Sequence, residues 1–84
     1  MPFYVYILLC TDGSFYTGYT GDLDERIKQH ENGKGAKYTK SHRPQKVAYV
    51  ELFGYRSAAM KRERAIKKFT HQQKQELINS QTKK

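Results

Sequence analysis

The stretch from Phe3 to Thr20 limits what this chain can fold into more than any other part of it. Two runs of β-branched, aromatic and apolar residues flank a single Asp12-Gly13 pair, the sequence signal of a β-hairpin. A two-residue turn at Asp12-Gly13 would pair Thr11 with Ser14 and set Tyr6 and Tyr16 on opposite faces. A three-residue loop from Thr11 to Gly13, with Gly13 left-handed as a bulge, pairs Cys10 with Ser14 instead. The apolar pattern selects the second register, because Phe3, Val5, Ile7 and Leu9 then share a face with Phe15, Thr17 and Tyr19. The first register would mix that row with Ser14, Gly18 and Thr20. On the other face lie Tyr4, Tyr6 and Tyr16, with Tyr6 opposite Gly18, where a missing side chain leaves room for a phenol ring. A tyrosine-rich strand face ordinarily means packing, so chemistry there needs support from later residues.

The chain has 84 residues, enough for one small core, and we expect a single domain over residues 1–79 with a frayed basic tail over 80–84. A formal net charge of +8, from 16 Lys and Arg against 8 Asp and Glu, points to a polyanion such as nucleic acid, with an anionic membrane surface as the competing partner. The run from Phe3 to Leu9 is too short to span a bilayer, lacks a basic start and leads into a turn, so no membrane or targeting segment is expected. The single cysteine, Cys10, excludes an internal disulfide framework and a multi-thiolate zinc site, and suggests a reducing, cytoplasmic setting.

After the hairpin, Asp22 and Glu25 form a capping box that opens a helix ending near Asn32-Gly33. Leu23 and Ile27 make its buried stripe, and Arg26 and His30, four apart, lean toward the sheet beside it. The plain alternative is that Arg26 lies over the core edge and His30 is a boundary residue. No acid occurs between Asn32 and Val50, where Lys34, Lys37, Lys40, Arg43 and Lys46 recur around Tyr38 and His42. This reads as a long basic loop ended by Pro44, with cations for phosphates and an aromatic for base stacking. A third strand follows from Lys46 to Phe53, then a helix capped by Ser57 and running from Ala58 to about Phe69. Within it Glu63 sits among the apolar positions Ala59, Met60 and Ile66, so its carboxylate faces the sheet; the alternative is an i,i+4 pair with Lys67. Thr70 and Gln73 form a last capping box before a short helix through Leu77 and Ile78.

Val5-Tyr6-Ile7, Tyr16-Thr17-Gly18, then Arg26, His30 and Glu63 in that order on those elements make the chain resemble a GIY-YIG nuclease domain over about residues 3–78. Its length and ending resemble the short stand-alone bacterial members of that superfamily. Val5 stands where the first triplet has Gly, and Thr17 where the second has Ile; neither change removes a reactive group. The resemblance implies an α+β fold, a three-stranded antiparallel sheet flanked by helices in the order β-β-α-β-α-α. It also implies hydrolysis of DNA phosphodiesters with one Mg²⁺ or Mn²⁺ ion held by Glu63. Tyr6 is then the first choice to accept the proton of the attacking water, with Tyr16 orienting water or phosphate, an assignment that could be reversed. Arg26 would stabilise phosphoryl charge and His30 would relay the proton. A phenolate at Tyr6 would need positive charge nearby, from the metal, Arg26 or His30. Lys34, Lys37, Tyr38, Lys40 and Arg43 would contact nucleic acid, and Gly18 is structural.

The expected activity is a DNA endonuclease, structure-guided toward branched or single-stranded DNA or directed by a protein partner, acting as a monomer. The alternative is a non-catalytic nucleic-acid-binding module of the same fold, using the loop from Lys34 to Arg43. A small RNA- or ribosome-associated protein would explain the charge equally well but gives Glu63 no reason to point inward.

Overall fold

The computed structural model describes residues 2–35 and 37–82; the side chains of Lys37 and Thr82 also lie outside that description. The elements are β1 (Phe3–Cys10), β2 (Phe15–Thr20), α1 (Leu23–Glu31), α2 (Lys37–Ser41), β3 (Pro44–Phe53), α3 (Arg56–Lys67) and α4 (His71–Thr82). The three strands form one antiparallel sheet in the order β2-β1-β3. This is the expected α+β arrangement with one short helix, α2, added between α1 and β3.

The hairpin takes the three-residue loop. Cys10 N–H donates to Ser14 O at 2.9 Å, Gly13 N–H donates to Cys10 O at 2.9 Å, and Gly13 has φ +85°, which a side chain would resist. Tyr6 consequently pairs with Gly18 and Leu8 with Tyr16. Asp12 closes the loop through bonds from the Ser14 hydroxyl (2.6 Å) and Ser14 N–H (3.0 Å).

As the middle strand, β1 is covered on both sides: Val5, Tyr6, Ile7, Leu8 and Cys10 are all buried. Val5 and Ile7 join Tyr49 of β3, Ala59 and Ile66 of α3 and Ile78 of α4 in the main core, with Phe3, Phe15, Tyr19 and Phe53 packed around it. The other face meets α1, whose buried residue is His30; Leu23 and Ile27, expected to form its buried stripe, are half-buried.

Several local expectations give way to longer-range contacts. Only half of the first capping box forms. Asp22 accepts from Glu25 N–H (3.1 Å), but Asp22 N–H donates to the Thr20 hydroxyl (3.1 Å), leaving Glu25 without that role. The basic segment is not all loop, since α2 occupies its middle and Pro44 begins β3 rather than ending a loop. Proline is tolerated there because β3 is an edge strand. The register of β1 with β3 shifts between Ile7 and Leu8, so Tyr49 faces Ile7 but Val47 faces Leu8. That irregularity breaks the simple alternation of a strand: Ala48 packs with the main core together with its neighbour Tyr49, and Val47 lies near Leu8 and Ile27. Ser57 is inside α3 rather than capping it; Tyr55 stands at the cap, where its carbonyl accepts the first helical bond from Ala59 N–H and its side chain makes no capping bond. The last capping box forms in full, with Thr70 N–H to Gln73 Oε1 at 2.8 Å and Gln73 N–H to the Thr70 hydroxyl at 3.1 Å. Beyond it α4 continues through Thr82, so residues 80–82 are helical, while Lys83 and Lys84 lie outside the described residues. The Gln81 amide meets both backbone groups of Val50, accepting N–H at 3.2 Å and donating to O at 2.7 Å, and so blunts the open edge of β3.

Thr17 faces the main core, 2 % exposed, and its hydroxyl has no hydrogen-bond partner among the described residues. Burying an unpaired hydroxyl is unfavourable, and Val has the same shape without it. Thr17→Val is expected to raise stability by about 1 kcal/mol. A higher urea midpoint with unchanged slope checks this; a lower midpoint would show that the hydroxyl is satisfied in solution.

Candidate active site

An open cleft of about 510 Å³ runs beside the free edge of β2, where α1 and α3 approach the sheet. Tyr6, Tyr16, Arg26, Arg56 and Glu63 line it, with Gly18 at its floor. The hairpin register delivers the two tyrosines: their ring centroids are 6.3 Å apart, and both rings approach His30, at 5.8 Å from Tyr6 and 5.1 Å from Tyr16. A methyl at Gly18 would come within 2.6 Å of the Tyr6 oxygen, so the phenol sits where that side chain is missing.

His30 is the hub of the site. It is 1 % exposed, and its Nε2 meets the Tyr6 hydroxyl at 2.9 Å while its Nδ1 meets the Thr39 hydroxyl at 2.8 Å. Burial pushes its pKa down to about 4, with the Arg26 charge adding to the effect, so the ring is neutral at physiological pH. Tyr6 is held as a neutral phenol. Burial raises its pKa to about 12, outweighing the Arg26 guanidinium beside its oxygen, while Tyr16 and Glu63 push it further up. Arg26 itself is steadied by donating from Nη1 to Gln29 Oε1 at 2.8 Å.

Glu63 is the one carboxylate lining the cleft among the described residues, and its side chain is 15 % exposed. It also makes the i,i+4 contact with Lys67, Nζ to Oε2 at 3.4 Å, so the inward and the paired positions hold at once. Glu51, the other acid near the sheet, is committed elsewhere. It accepts from the Tyr49 hydroxyl at 2.8 Å and from Arg62 Nε at 3.0 Å. No group of three or more His, Cys, Asp or Glu side chains suited to a metal occurs among the described residues. A lone cleft carboxylate beside phenol oxygens fits one hard cation that keeps most of its waters, and does not fit a caged ion or a soft metal.

The basic segment forms a second surface. Lys34, Lys40 and Arg43 are exposed, and Lys40, Arg43 and Ser41 line another cleft of about 390 Å³ whose inner wall is His30 and Thr39. The Lys37 side chain lies outside the described residues. Tyr38 is less available for base stacking than its exposure suggests: it stacks on His42 at 4.0 Å and on Tyr16 at 5.9 Å. His42 in turn meets Asp12 at 2.6 Å, tying α2 to the hairpin turn.

Sequence reasoning missed Thr39, Gly35 and Arg56. Gly35, in the basic segment, has no room for a side chain: a methyl there would collide with His30 Nδ1, so its backbone is pressed against the ring. Arg56 lines the outer cleft over the Phe3 ring, 5.5 Å from its centroid.

The GIY-YIG catalytic domain matches residues 2–76. The chain belongs to the GIY-YIG family. A UPF0213 protein of Staphylococcus saprophyticus is 53 % identical over 76 residues, covering 90 % of this chain and 93 % of the relative. Among solved structures, a UPF0213 protein from Bacillus halodurans, determined in solution by NMR, is 46 % identical, with a TM-score of 0.61, and covers 94 % of this chain and 84 % of that one. A protein from E. faecalis, also solved by NMR, is 41 % identical with a TM-score of 0.68 over all of this chain and 90 % of that one. This GIY-YIG domain thus shares length as well as fold with short relatives.

The buried neutral His30 has a consequence for stability. Its folded pKa lies below its unfolded value, so its contribution is present in full above about pH 6.5 and is lost as pH falls toward 4. The 2.5-unit window corresponds to roughly 3 kcal/mol. Asp12, whose carboxyl is held low by Ser14 and His42, acts only below about pH 3.8 and does not overlap that window. Urea titrations between pH 7 and 4 should therefore show a fall in stability that His30→Gln flattens. An equal fall in that variant would mean that another group is responsible.

Proposed function

We propose that this GIY-YIG protein is a divalent-metal-dependent DNA endonuclease, structure-guided toward branched or single-stranded DNA or directed by a partner. The observation that carries the reading is one cleft lined by Tyr6, Tyr16, Arg26 and Glu63, with His30 bonded behind Tyr6. A merely structural tyrosine face would not need an arginine and a carboxylate beside it.

Glu63 would hold Mg²⁺ or Mn²⁺, which when bound supplies Lewis acidity to the phosphate and charge neutralisation at the leaving oxygen. Arg26 binds the non-bridging oxygens and meets the charge that grows on them, its guanidinium already steadied by Gln29. Tyr16, half-buried at the cleft surface, orients the incoming water. Tyr6 takes the water's proton as the water oxygen attacks phosphorus. Its own proton passes along the 2.9 Å bond to the neutral Nε2 of His30, and the bridging oxygen leaves as the new P–O bond forms. Tyr6 is favoured over Tyr16 as the acceptor because the 2.9 Å bond to His30 gives it a proton outlet. Lys34, Lys40 and Arg43 hold the flanking backbone by charge.

Cleavage of duplex, single-stranded and branched DNA with Mg²⁺ or Mn²⁺ tests the activity. Glu63→Gln preserves size and helix propensity and gives up only the Lys67 pair, so folding and DNA affinity should survive while metal-dependent cleavage falls by orders of magnitude. Arg26→Ala should lose about 2.7–4 kcal/mol of transition-state stabilisation, by analogy with removal of an oxyanion-hole donor. Protein that binds all three DNA forms and cuts none would instead be a binding module; equal cleavage by Glu63→Gln would move the metal elsewhere.

Binding is tested separately. Replacing Lys34, Lys40 and Arg43 with Ala should weaken affinity for DNA and flatten its salt dependence by about 0.9 of a log-log slope unit for each phosphate that is no longer neutralised. An unchanged slope would assign the DNA-binding surface to another part of the molecule.

A further inference from the structure

Behind the tyrosines, the hydrogen-bond chain does not stop at His30. The Nδ1 of that ring meets the hydroxyl of Thr39, a residue of α2 that is 2 % exposed, at 2.8 Å. We propose that Thr39 is a positioning residue for the reaction, accepting the Nδ1 proton of His30 and so fixing the tautomer whose Nε2 lone pair receives the proton of Tyr6. The inference rests on the nuclease reading for its catalytic consequence and on the Tyr6–His30–Thr39 geometry for its structural one.

A neutral imidazole carries one N–H and one lone pair, and each nitrogen here has one hydroxyl partner, so two arrangements satisfy the distances. In the first, His30 Nδ1–H donates to Thr39 and the Tyr6 hydroxyl donates to Nε2. In the second, the Thr39 hydroxyl donates to Nδ1 and Nε2–H donates to Tyr6. Arg26 decides between them. It lines the same cleft as Tyr6, its charge acts on the phenol from that side, and it can only donate. The second arrangement would aim two donors at the Tyr6 oxygen and send its own proton into the cleft, where an incoming water would accept from Tyr6 rather than donate to it. The first lets Tyr6 accept from the cleft side and donate inward. It is also the arrangement in which a proton taken up by Tyr6 has somewhere to go.

The ring has little freedom to escape this choice. Gly35 presses its backbone on the Nδ1 side, Tyr6 and Tyr16 lie against the ring, and the whole residue is buried. A flip of the ring would put carbons where Nε2 and Nδ1 now meet the Tyr6 and Thr39 hydroxyls and break both bonds, so the ring stays in this orientation and the partner of Nδ1 controls the state of Nε2. Thr39 reaches that position because α2 is seated by the Tyr16–Tyr38 and Tyr38–His42 stacks and by the His42–Asp12 bond. The helix that offers Lys40 to the second cleft therefore also fixes the tautomer of His30.

The test has a spectroscopic arm and a kinetic arm. Two-bond ¹⁵N–¹H NMR correlations of the full chain at neutral pH should show His30 protonated on Nδ1 and bare on Nε2. In Thr39→Val, which keeps shape but cannot accept, the spectrum should shift toward the Nε2–H tautomer or a mixture, and Thr39→Ser should restore the wild-type pattern. Backbone amide spectra of both variants report whether α2 and the sheet remain folded. On branched DNA with Mn²⁺, Thr39→Val should lower kcat about 10–100-fold, the scale for partners that orient a working histidine, with KM nearly unchanged, and Ser should recover most of it. An Nε2–H signal in the wild type, or an unchanged tautomer in a folded Thr39→Val, overturns the proposal. If the tautomers behave as stated but no variant and no wild type cuts DNA, the positioning stands and the nuclease reading fails. If the wild type cuts and Thr39→Val cuts equally well, the reaction stands and the catalytic role of Thr39 does not.

Discussion

The candidate site depends on the register of the first hairpin. Had the turn been one residue shorter, β2 would have slipped by one position and every side chain on it would have changed face. The loop that prevents this is small: two backbone bonds between Cys10, Gly13 and Ser14, one left-handed glycine, and Asp12 accepting from Ser14. That register sets Gly18 across from Tyr6, and the gap admits the phenol. Because β1 is the middle strand and is covered on both sides, the phenol reaches only the inner wall of the cleft, is otherwise buried, and needs a polar partner. His30 is that partner, which is why a histidine, rather than Leu23 or Ile27, is the buried residue of α1.

The charges around the cleft are divided by the quality of their partners. Two acids lie half-buried near the sheet, and sequence position alone separates them poorly. Glu51 is held by two donors at hydrogen-bond distance, whereas Glu63 has one contact at 3.4 Å with a lysine whose side chain is 51 % exposed. A pair of that kind contributes little and is easily exchanged for a stronger cation. Glu63 is thus the acid that can take on a ligand, while Glu51 serves to lock β3 to α3 through Arg62. The same reasoning applies to the cations. Arg26 spends one donor on Gln29 and Arg56 rests on an aromatic face, so both keep donors for a phosphate entering the cleft.

What could be read from the sequence was what depends on near neighbours. The hairpin register, the start and stop of α1, the full capping box at Thr70 and the inward Glu63 all follow from spacing within one element or one hairpin, and the resemblance to GIY-YIG domains tied them together. What could not be read depends on contacts across the fold. The α2 helix has too few residues to form by propensity; it is seated by stacking on Tyr16 and by a bond from His42 back to Asp12, thirty positions away. The register shift in β3 answers to pairing with β1, and it moved Val47 and Ala48 to faces that simple alternation denies them. Gly35 was legible as a glycine but not as a contact, since nothing in its neighbourhood shows that the His30 ring will lie against it. Thr39 gives no signal at all in the sequence: a threonine in a basic segment acquires meaning only when its hydroxyl arrives at Nδ1.

In the proposed reaction, the raised pKa of Tyr6 decides what kind of base it can be. A standing phenolate at neutral pH would require its pKa to fall from about 12 by five units, roughly 7 kcal/mol, against the burial that raised it. One arginine has already acted on the phenol and has not overcome that burial, and the carboxylate of Glu63 opposes the change. A phenol that gives up its proton to His30 in the same event that it gains one from water avoids the standing charge, because the oxygen is neutral before and after. The positive charge then falls on a histidine whose own pKa is near 4, which makes it a poor place to keep a proton and a good one from which to return it. Burial is therefore not an obstacle that a metal alone must overcome. It suits a phenol that passes protons, and it would defeat one that had to hold a charge.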